Sequence, residues 1–158
     1  MPSASPAPMF IIKEVLPVMK TTGDLMKALS FPEISPEDYL SANKEELLNS
    51  SPKELWTSLV ERSGLRKAEI IRRSQFEAVY FYEVLAGKKI PSRDKVLRLL
   101  LGLQAELSDC QKILQLYGYR PLYPRIFRDV LLIFSITNSL SLSQVQQLLE
   151  QHQEEPLK

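Results

Sequence analysis

ERSGLRKAEIIRRSQFEAVYFYEVLAGKKIPSRDKVLR, residues 61–98, is the stretch of this chain that decides its fold. Its apolar spacing predicts two short helices, over about Arg66–Arg73 and Ala78–Ala86, joined by a turn at Ser74–Glu77. A Gly-Lys-Lys loop follows, and Pro91-Ser92 then opens a further helix, because serine is a favoured N-cap residue. This order of signals is typical of helix-turn-helix units, which bind nucleic acids.

Helix signals continue on both sides of this stretch. Hydroxyl side chains followed by helix-forming residues predict helix caps at Thr22, Ser35, Ser51, Ser108 and Ser141. The segment 125–137 is apolar on nearly every face, as expected for a helix at the centre of a core or of a subunit interface. No segment alternates as a strand would, and no internal repeat is evident in the sequence. We therefore predict an all-α fold, a multi-helix bundle around the helix-turn-helix.

Composition and the positions of helix-breaking residues predict how the chain is divided into segments. Apolar residues at 44% and charged residues at 25% are globular values for these 158 residues. The expected parts are a flexible N-terminal extension at 1–18, an acidic helical segment at 19–50, the helix-turn-helix domain at 51–103, C-terminal helices at 104–152 and a polar tail at 153–158.

Charge is unevenly distributed although the net charge is only +1. Residues 52–103 carry eleven Lys and Arg against six Asp and Glu, whereas residues 1–51 carry four against seven. A basic centre beside an acidic flank indicates a localised anion-binding face. An ordinary solvated helix surface is the alternative interpretation of the same charges.

The residue types that catalysis needs are sparse. His152 is the only histidine and lies near the polar tail, and Cys110 is flanked by helix-lining apolar residues, so we expect it in the core. One Cys and one His cannot build a structural zinc site, and no Gly-rich phosphate loop occurs. We therefore expect no enzyme activity, metal or cofactor. The single cysteine fits a reducing, cytoplasmic compartment, and no apolar run reaches the roughly 20 residues of a membrane span.

The helix-turn-helix predicts its own contact residues. The basic side chains expected at DNA phosphates are Arg66, Lys67, Arg72, Arg73, Lys88, Lys89 and Arg93. The third helix of the domain would enter the major groove, with base contacts, or contacts to a partner, expected from Glu77, Ala78, Val79, Tyr82 and Glu83. Alanine and valine can contact only a thymine methyl group, and glutamate can accept from cytosine. The side chains expected in the core are Ile71, Phe76, Tyr80 and Val84.

The segments SGLRKAEIIRRS (63–74) and VLAGKKIPSRDKVLRLLLGL (84–103) resemble the phage-repressor-like (XRE-type) helix-turn-helix family. The resemblance covers about residues 52–103, and the flanks from Met19 and at 118–125 are similar to those of bacterial regulators of this type. It implies a five-helix DNA-binding domain, often dimeric, that acts as a transcriptional regulator on double-stranded DNA. The chain departs from the family pattern where Arg66 replaces a frequent Ser and Gln75 replaces a frequent Gly.

Other roles for the same residues stay open at this level. The surface formed by residues 79–82 could dock a partner protein if Val79, Phe81 and Tyr82 are exposed together. A non-catalytic subunit of an enzyme complex is a third possibility. We also expect a homodimer in which part of Ile126–Ile136 combines with residues of the last helix, namely Leu142, Val145 and Leu149. The alternative is a monomer with the apolar helix at its centre.

Overall fold

The structure, a computed structural model, describes residues 20–48 and 50–158. All regular structure in these residues is helical, which confirms the all-α prediction. The expected flexible extension at 1–18 lies outside the described residues. The described residues divide into two compact units, of which the first ends at Leu47 and the second begins at Leu48. No helix in the described part has both the length and the apolar character that crossing a bilayer requires.

Each unit has its own helices. In the first unit these are α1 (Thr22–Leu29), α2 (Pro36–Ala42) and a 3-10 turn (Lys44–Glu46). In the second they are α3 (Pro52–Ser63), α4 (Lys67–Ser74), α5 (Ala78–Leu85), α6 (Arg93–Leu103), α7 (Leu107–Leu116), α8 (Phe127–Thr137) and α9 (Leu142–Gln151).

The predicted caps are largely confirmed. The hydroxyl groups of Ser35, Ser51 and Ser141 each accept the backbone N–H three residues further on. Two predicted caps are displaced by a short distance along the chain. Thr21, not Thr22, caps α1, and α7 begins after Glu106, so Ser108 lies inside its first turn and caps nothing.

The centre of the second unit is α6, not the apolar helix at 125–137. Seven of the eleven α6 residues are buried, from Val96 to Leu103. In α8, by contrast, Leu132 is buried while Phe127 and Phe134 are about half exposed. The α9 residues expected at a subunit interface, Leu142, Val145 and Leu149, are buried within the chain itself. That part of the dimer prediction is therefore wrong, because a side chain packed in the monomer core cannot contact a second copy.

An internal duplication, which the sequence analysis missed, organises the C-terminal half. Residues 93–123 and 128–158 align without gaps at an offset of 35 and are identical at nine of 31 positions. Each repeat is a helical hairpin, α6–α7 in the first and α8–α9 in the second. Gln104 and Ser139 occupy equivalent positions after the first helix, and both have a left-handed φ of 53°. The backbone therefore makes the same turn in both repeats.

The two hairpins are joined by reciprocal ion pairs. Arg93 of α6 pairs with Asp129 of α8 at 3.2 Å, and Arg128 of α8 pairs with Asp94 of α6 at 3.2 Å. Each repeat contains the same Arg-Asp dipeptide, and the arginine of each repeat pairs with the aspartate of the other. Asp129 is 1% exposed and is paired a second time, with Arg120 at 3.3 Å. Buried carboxylates persist only when they are paired and hydrogen-bonded in this way.

The segment after each hairpin is held by equivalent hydrogen bonds. Arg93 donates to the carbonyls of residues 120 and 121, and Arg128 donates to those of residues 155 and 156. The Gln111 side chain both donates to and accepts from the backbone of buried Leu122, and Gln146 does the same for buried Leu157. The helices pack across the two hairpins in the same reciprocal way. The first helix of each hairpin contacts the second helix of the other, α6 with α9 and α8 with α7. The hairpins are thus related by an approximate two-fold arrangement.

The unequal burial of the two ion pairs predicts unequal effects of mutation. Asp129→Asn leaves Arg93 without its counter-charge in the interior, so we expect a loss of about 3 kcal/mol in the free energy of unfolding. Asp94→Asn is the matched control in the other repeat. Its pair has side chains 18% and 23% exposed, so we expect only about 1 kcal/mol there. Denaturant unfolding of both variants measures the difference, and equal losses would contradict the expected role of burial.

Candidate nucleic-acid interface

Helices α4 and α5, separated by residues 75–77, occupy the stretch in which the sequence predicts a helix-turn-helix. Gln75 ends α4 with φ 57° and ψ 37°, a left-handed conformation that favours glycine. Glutamine stands here at the position where the resembled family frequently has Gly. Ser74, expected in the turn, belongs to the last turn of α4 and is fully buried.

Close contact with α6 fixes α4 in place. A Cβ atom added at Gly102 would lie 3.0 Å from both the Cβ and the backbone N of Ser74, so any larger residue would require α4 to move by a few tenths of an ångström. Ser74 Oγ donates to the carbonyl of Ile70 at 2.7 Å, which satisfies its hydroxyl inside the contact. Helix α4 is therefore held in position by α6, the central helix of the unit.

Arg98 of α6 holds the turn itself, a role that the sequence did not predict. Its guanidinium donates to the carbonyls of Ser74 at 3.1 Å and Gln75 at 2.6 Å, and lies 5.1 Å from the Phe76 ring centroid. It also donates to the carbonyl of Lys158 at 2.7 Å. Only the tertiary packing of α6 under the turn brings these groups together, so the spacing along the chain contains no signal for them.

The outer face of α5 is largely free. Ala78, Val79 and Tyr82 are exposed, with Val79 at 71% and Tyr82 at 49%, whereas Phe81 and Val84 are fully buried. A helix with one buried and one open face is the geometry that groove insertion requires. Phe81 is thus a core residue, and the surface at residues 79–82 does not expose all three apolar side chains together.

The expected core residues lie behind this face. Val84 is fully buried, while Ile71, Phe76 and Tyr80 are partly buried and pack against the core. Phe76 and Tyr80 meet edge to face at 5.5 Å, and Lys95 lies 4.5 Å from the Tyr80 ring centroid. Burial raises the pKa of Tyr80, so its hydroxyl stays protonated at neutral pH.

Four of the predicted basic residues are exposed at the start of α4 or just after α5. Arg66 and Lys67 are exposed at the start of α4, and Lys67 Nζ lies 5.8 Å from the Tyr82 ring centroid. Lys88 and Lys89 are exposed just after α5, where their backbone N–H groups donate to the carbonyl of Glu83. Basic side chains are thus present before and after α5 in the chain, on residues that pack beside it or continue from it.

The other three predicted basic residues lie elsewhere. Arg72 and Arg73 are at the opposite end of α4, about 7.5 Å or more along the helix axis from Lys67. They pair with Glu69 at 3.5 and 3.0 Å and line a polar cavity of about 570 Å³ with the first residues of α9. Arg93 is committed to Asp129 and to two carbonyls, and its side chain is only 18% exposed. Phosphate contact by these three is therefore less well supported.

The two acidic residues of the predicted contact set differ in exposure. Glu77 is exposed at the N-cap of α5 without a side-chain capping bond, and Glu83 is half-buried. In the described part of the chain, neither carboxylate takes part in an ion pair. Glu77 lines a cavity together with Lys95, Arg98 and Lys158, so basic groups lie near its carboxylate.

The two residues considered for catalysis, Cys110 and His152, have environments that are typical of residues with a structural role. Cys110 is fully buried in α7, as expected, and burial raises the pKa of its thiol to about 12. A thiol in that state is a poor nucleophile. His152 is exposed and packs edge-on against Phe127, with ring centroids 5.4 Å apart.

In comparisons with known proteins, the chain matches no family model, no curated protein and no solved structure. What supports a function is therefore the geometry of the chain itself.

The Gly102 contact predicts a sharp effect of one methyl group. Gly102→Ala forces α4 away from α6 against the backbone of Ser74, so we expect a loss of about 1–3 kcal/mol in unfolding free energy despite alanine's better helix propensity. Gly23→Ala is the control, since its added Cβ would lie 3.7 Å from the nearest atom, an ordinary contact. Urea unfolding compares them. An undiminished midpoint for Gly102→Ala would show that α4 can shift freely.

Proposed function

We propose that this chain is a DNA-binding transcriptional regulator of the phage-repressor type, which inserts α5 into the major groove. The observation that carries this proposal is the geometry of α5. Ala78, Val79 and Tyr82 are open to solvent, while the opposite face is anchored by fully buried Phe81 and Val84. An exposed helix supported on its other side by a packed domain can enter a groove without unfolding.

The basic residues around α5 support the same proposal. Arg66 and Lys67 precede the groove-facing helix and Lys88 and Lys89 follow it, so phosphate contacts on both sides of one groove are assigned to these four. Ala78, Val79 and Tyr82 are assigned to base contacts, which favours thymine methyl groups. Glu77 and Glu83 oppose phosphate binding unless a cytosine amino group faces one of them. Affinity would therefore come mainly from the backbone contacts.

The remaining features fit a regulator without catalysis of its own. The buried Cys110 thiol and the exposed His152 ring lie in different surroundings, with neither placed to activate the other. The single free cysteine is compatible with a reducing, cytoplasmic compartment. Regulators of this class bind two half-sites as two-fold dimers, with recognition helices about 34 Å apart. We propose that this chain also acts as a homodimer.

A protein partner in place of DNA is the second candidate. It is favoured by an apolar recess of about 320 Å³ between α3 and α5, lined by Val60, Tyr82 and Leu85 among others. The burial of Phe81 weakens it, because the apolar surface at residues 79–82 is thereby reduced to Val79 and Tyr82. A measurement of DNA binding at low salt separates the two candidates.

The primary test is a titration of random-sequence duplex DNA at several salt concentrations. The slope of log affinity against log salt should fall by about 0.9 for each phosphate that the protein no longer neutralises. Replacing both Lys88 and Lys89 by Ala should therefore reduce the slope by roughly 1–2 units. Lys112→Ala, an exposed lysine on α7, is the control and should leave the slope unchanged. Absence of binding by the wild-type chain at low salt would rule out the DNA function and favour the protein partner.

A second test uses the acidic N-cap of α5. Glu77→Gln removes a charge that faces the phosphates, so non-specific binding should strengthen by about threefold at low salt. Glu106→Gln is a matched control, because Glu106 is likewise an exposed N-cap without a side-chain capping bond, on α7. Uniformly weaker binding by Glu77→Gln would contradict the proposal, whereas weaker binding to one sequence alone would identify a contact with cytosine.

A further inference from the structure

The polar cavity of about 570 Å³ between the end of α4 and the start of α9, which we name the α4–α9 cavity, has an unusual lining. Its charged residues are Arg72 and Arg73, and the remainder consists of three serines, three glutamines and two leucines. None of the described residues that line it is acidic. A cavity of this size accommodates a small molecule, and this lining favours a polar, negatively charged one.

The α4 end of the cavity has an excess of positive charge. Arg72 and Arg73 both pair with the same carboxylate oxygen of Glu69, at 3.5 and 3.0 Å. One carboxylate balances one guanidinium, so one positive charge is left over. The Arg72 side chain is 73% exposed, and an ion pair so open to water contributes little to stability. Its guanidinium can therefore exchange Glu69 for another anion at little cost.

The internal duplication shows how the equivalent place is filled in the first repeat. There, too, a cavity lies beside the start of the second helix of the hairpin, and Arg62 of α3 lines it together with Glu106 and Asp109. Asp109 neutralises the arginine, because its two carboxylate oxygens each lie 3.4 Å from a guanidinium nitrogen of Arg62. The first repeat thus contains its own anions at this place.

The second repeat lacks these anions. At the 35-residue offset, Ser141 and Gln144 take the places of Glu106 and Asp109, and both line the α4–α9 cavity. Arginines of a neighbouring helix are present at the start of α9, as at the start of α7, but the carboxylates that would neutralise them are not. The backbone N–H of Ser143, in the first turn of α9, has no acceptor within the helix and adds a donor beside them.

We propose that the α4–α9 cavity binds a small phosphate monoester, whose phosphate group takes the place of the missing carboxylates beside Arg72 and Arg73. The planar guanidinium of arginine donates two parallel hydrogen bonds to phosphate oxygens. A phosphate monoester has three terminal oxygens, so it can accept from both guanidinium groups and from Ser143 at once, whereas a carboxylate has only two.

The uncharged lining residues indicate what the phosphate is attached to. Serine hydroxyls and glutamine amides can hydrogen-bond to the hydroxyl groups of a polyol or sugar. None of the described lining residues is aromatic, so nothing in the lining stacks on a nucleobase. A sugar phosphate therefore fits the cavity better than a nucleotide does. This site goes beyond the proposed function, and the argument for it is independent of DNA.

Titration of the isotope-labelled full chain with glucose 6-phosphate, followed by amide correlation spectra, tests the proposal. The backbone amide signals of Gln75 and Ser143, which line the cavity, should shift and saturate with a dissociation constant of about 1 mM or below. Glucose without the phosphate should leave both signals unchanged. Absence of a saturable shift with glucose 6-phosphate overturns the proposal, even if inorganic phosphate alone causes one.

Replacing the arginines tests whether they hold the phosphate. Arg72→Gln combined with Arg73→Gln should weaken glucose 6-phosphate binding about tenfold or more, because charge-assisted hydrogen bonds are lost. Arg62→Gln is the matched control in the first repeat and should bind as the wild type does, since Arg62 is already paired with Asp109. Wild-type affinity in the double variant would overturn the site.

A second variant restores the carboxylate that the first repeat has. Gln144→Asp keeps the capping box, since Asp24 makes the same contact at the equivalent position of α1. Its charge should pair with the arginines of the cavity and weaken glucose 6-phosphate binding about fivefold. Gln147→Asp is the control, because it adds the same charge one turn further along α9 at an exposed residue outside the lining. Equal losses in both variants would indicate a general charge effect and would contradict the proposed site.

A titration with duplex DNA separates this inference from the proposed function, because the DNA backbone is another source of phosphate groups. If the Ser143 amide responds to DNA but not to glucose 6-phosphate, the phosphate at this site is that of DNA, and the small-molecule site is overturned. If it responds to glucose 6-phosphate in a protein that binds no DNA, the site is supported and the proposed function alone is contradicted.

Discussion

The reciprocal pairing of two Arg-Asp dipeptides is the interaction on which the second unit depends. Each dipeptide lies at the start of the first helix of its hairpin, and each arginine pairs with the aspartate of the other repeat. The same arginines also bind the carbonyls of the segments that follow the hairpins. The two arginines thus join α6 to α8 and also hold the segments that follow the two hairpins. Asp129 is almost completely buried, so its negative charge must be paired within the protein. A fold that left Asp129 without an arginine partner would contain an unpaired buried charge.

Helices α4 and α5 are held against the duplicated hairpins through their contacts with α6. Gly102 permits the backbone of Ser74 to approach, and Arg98 binds the carbonyls of the turn that follows. α6 therefore serves two purposes, as the first helix of the duplicated hairpins and as the support for α4 and α5. A displacement of α6 would change the position of α5 directly. The geometry of the proposed DNA-binding surface is in this sense set by the C-terminal hairpins.

The duplication also explains the asymmetry of the unit. The first hairpin is covered by α3, α4 and α5, whereas within the second unit no other described helix packs in the same way on the second hairpin. The side chains follow this difference, since α6 has Lys95 where α8 has Val130. Two hairpins with one backbone arrangement have thus acquired different outer faces. The proposed DNA surface belongs to the helices that cover the first hairpin.

The sequence by itself determined the helical class, most helix starts and the positions of the two short helices α4 and α5, because capping and the 3.6-residue period are local properties of a few neighbouring residues. It also placed Cys110 and Val84 in the core, where both are fully buried. It did not reveal that Arg93 is bound to Asp129, that Arg98 holds the turn, or that α8 is half exposed. These facts depend on which helices become neighbours, and partners 23 to 60 residues apart leave no periodic signal. The repeat escaped detection because only nine of 31 positions are identical, while the equivalence lies in backbone turns and exchanged ion pairs that exist only in the folded chain.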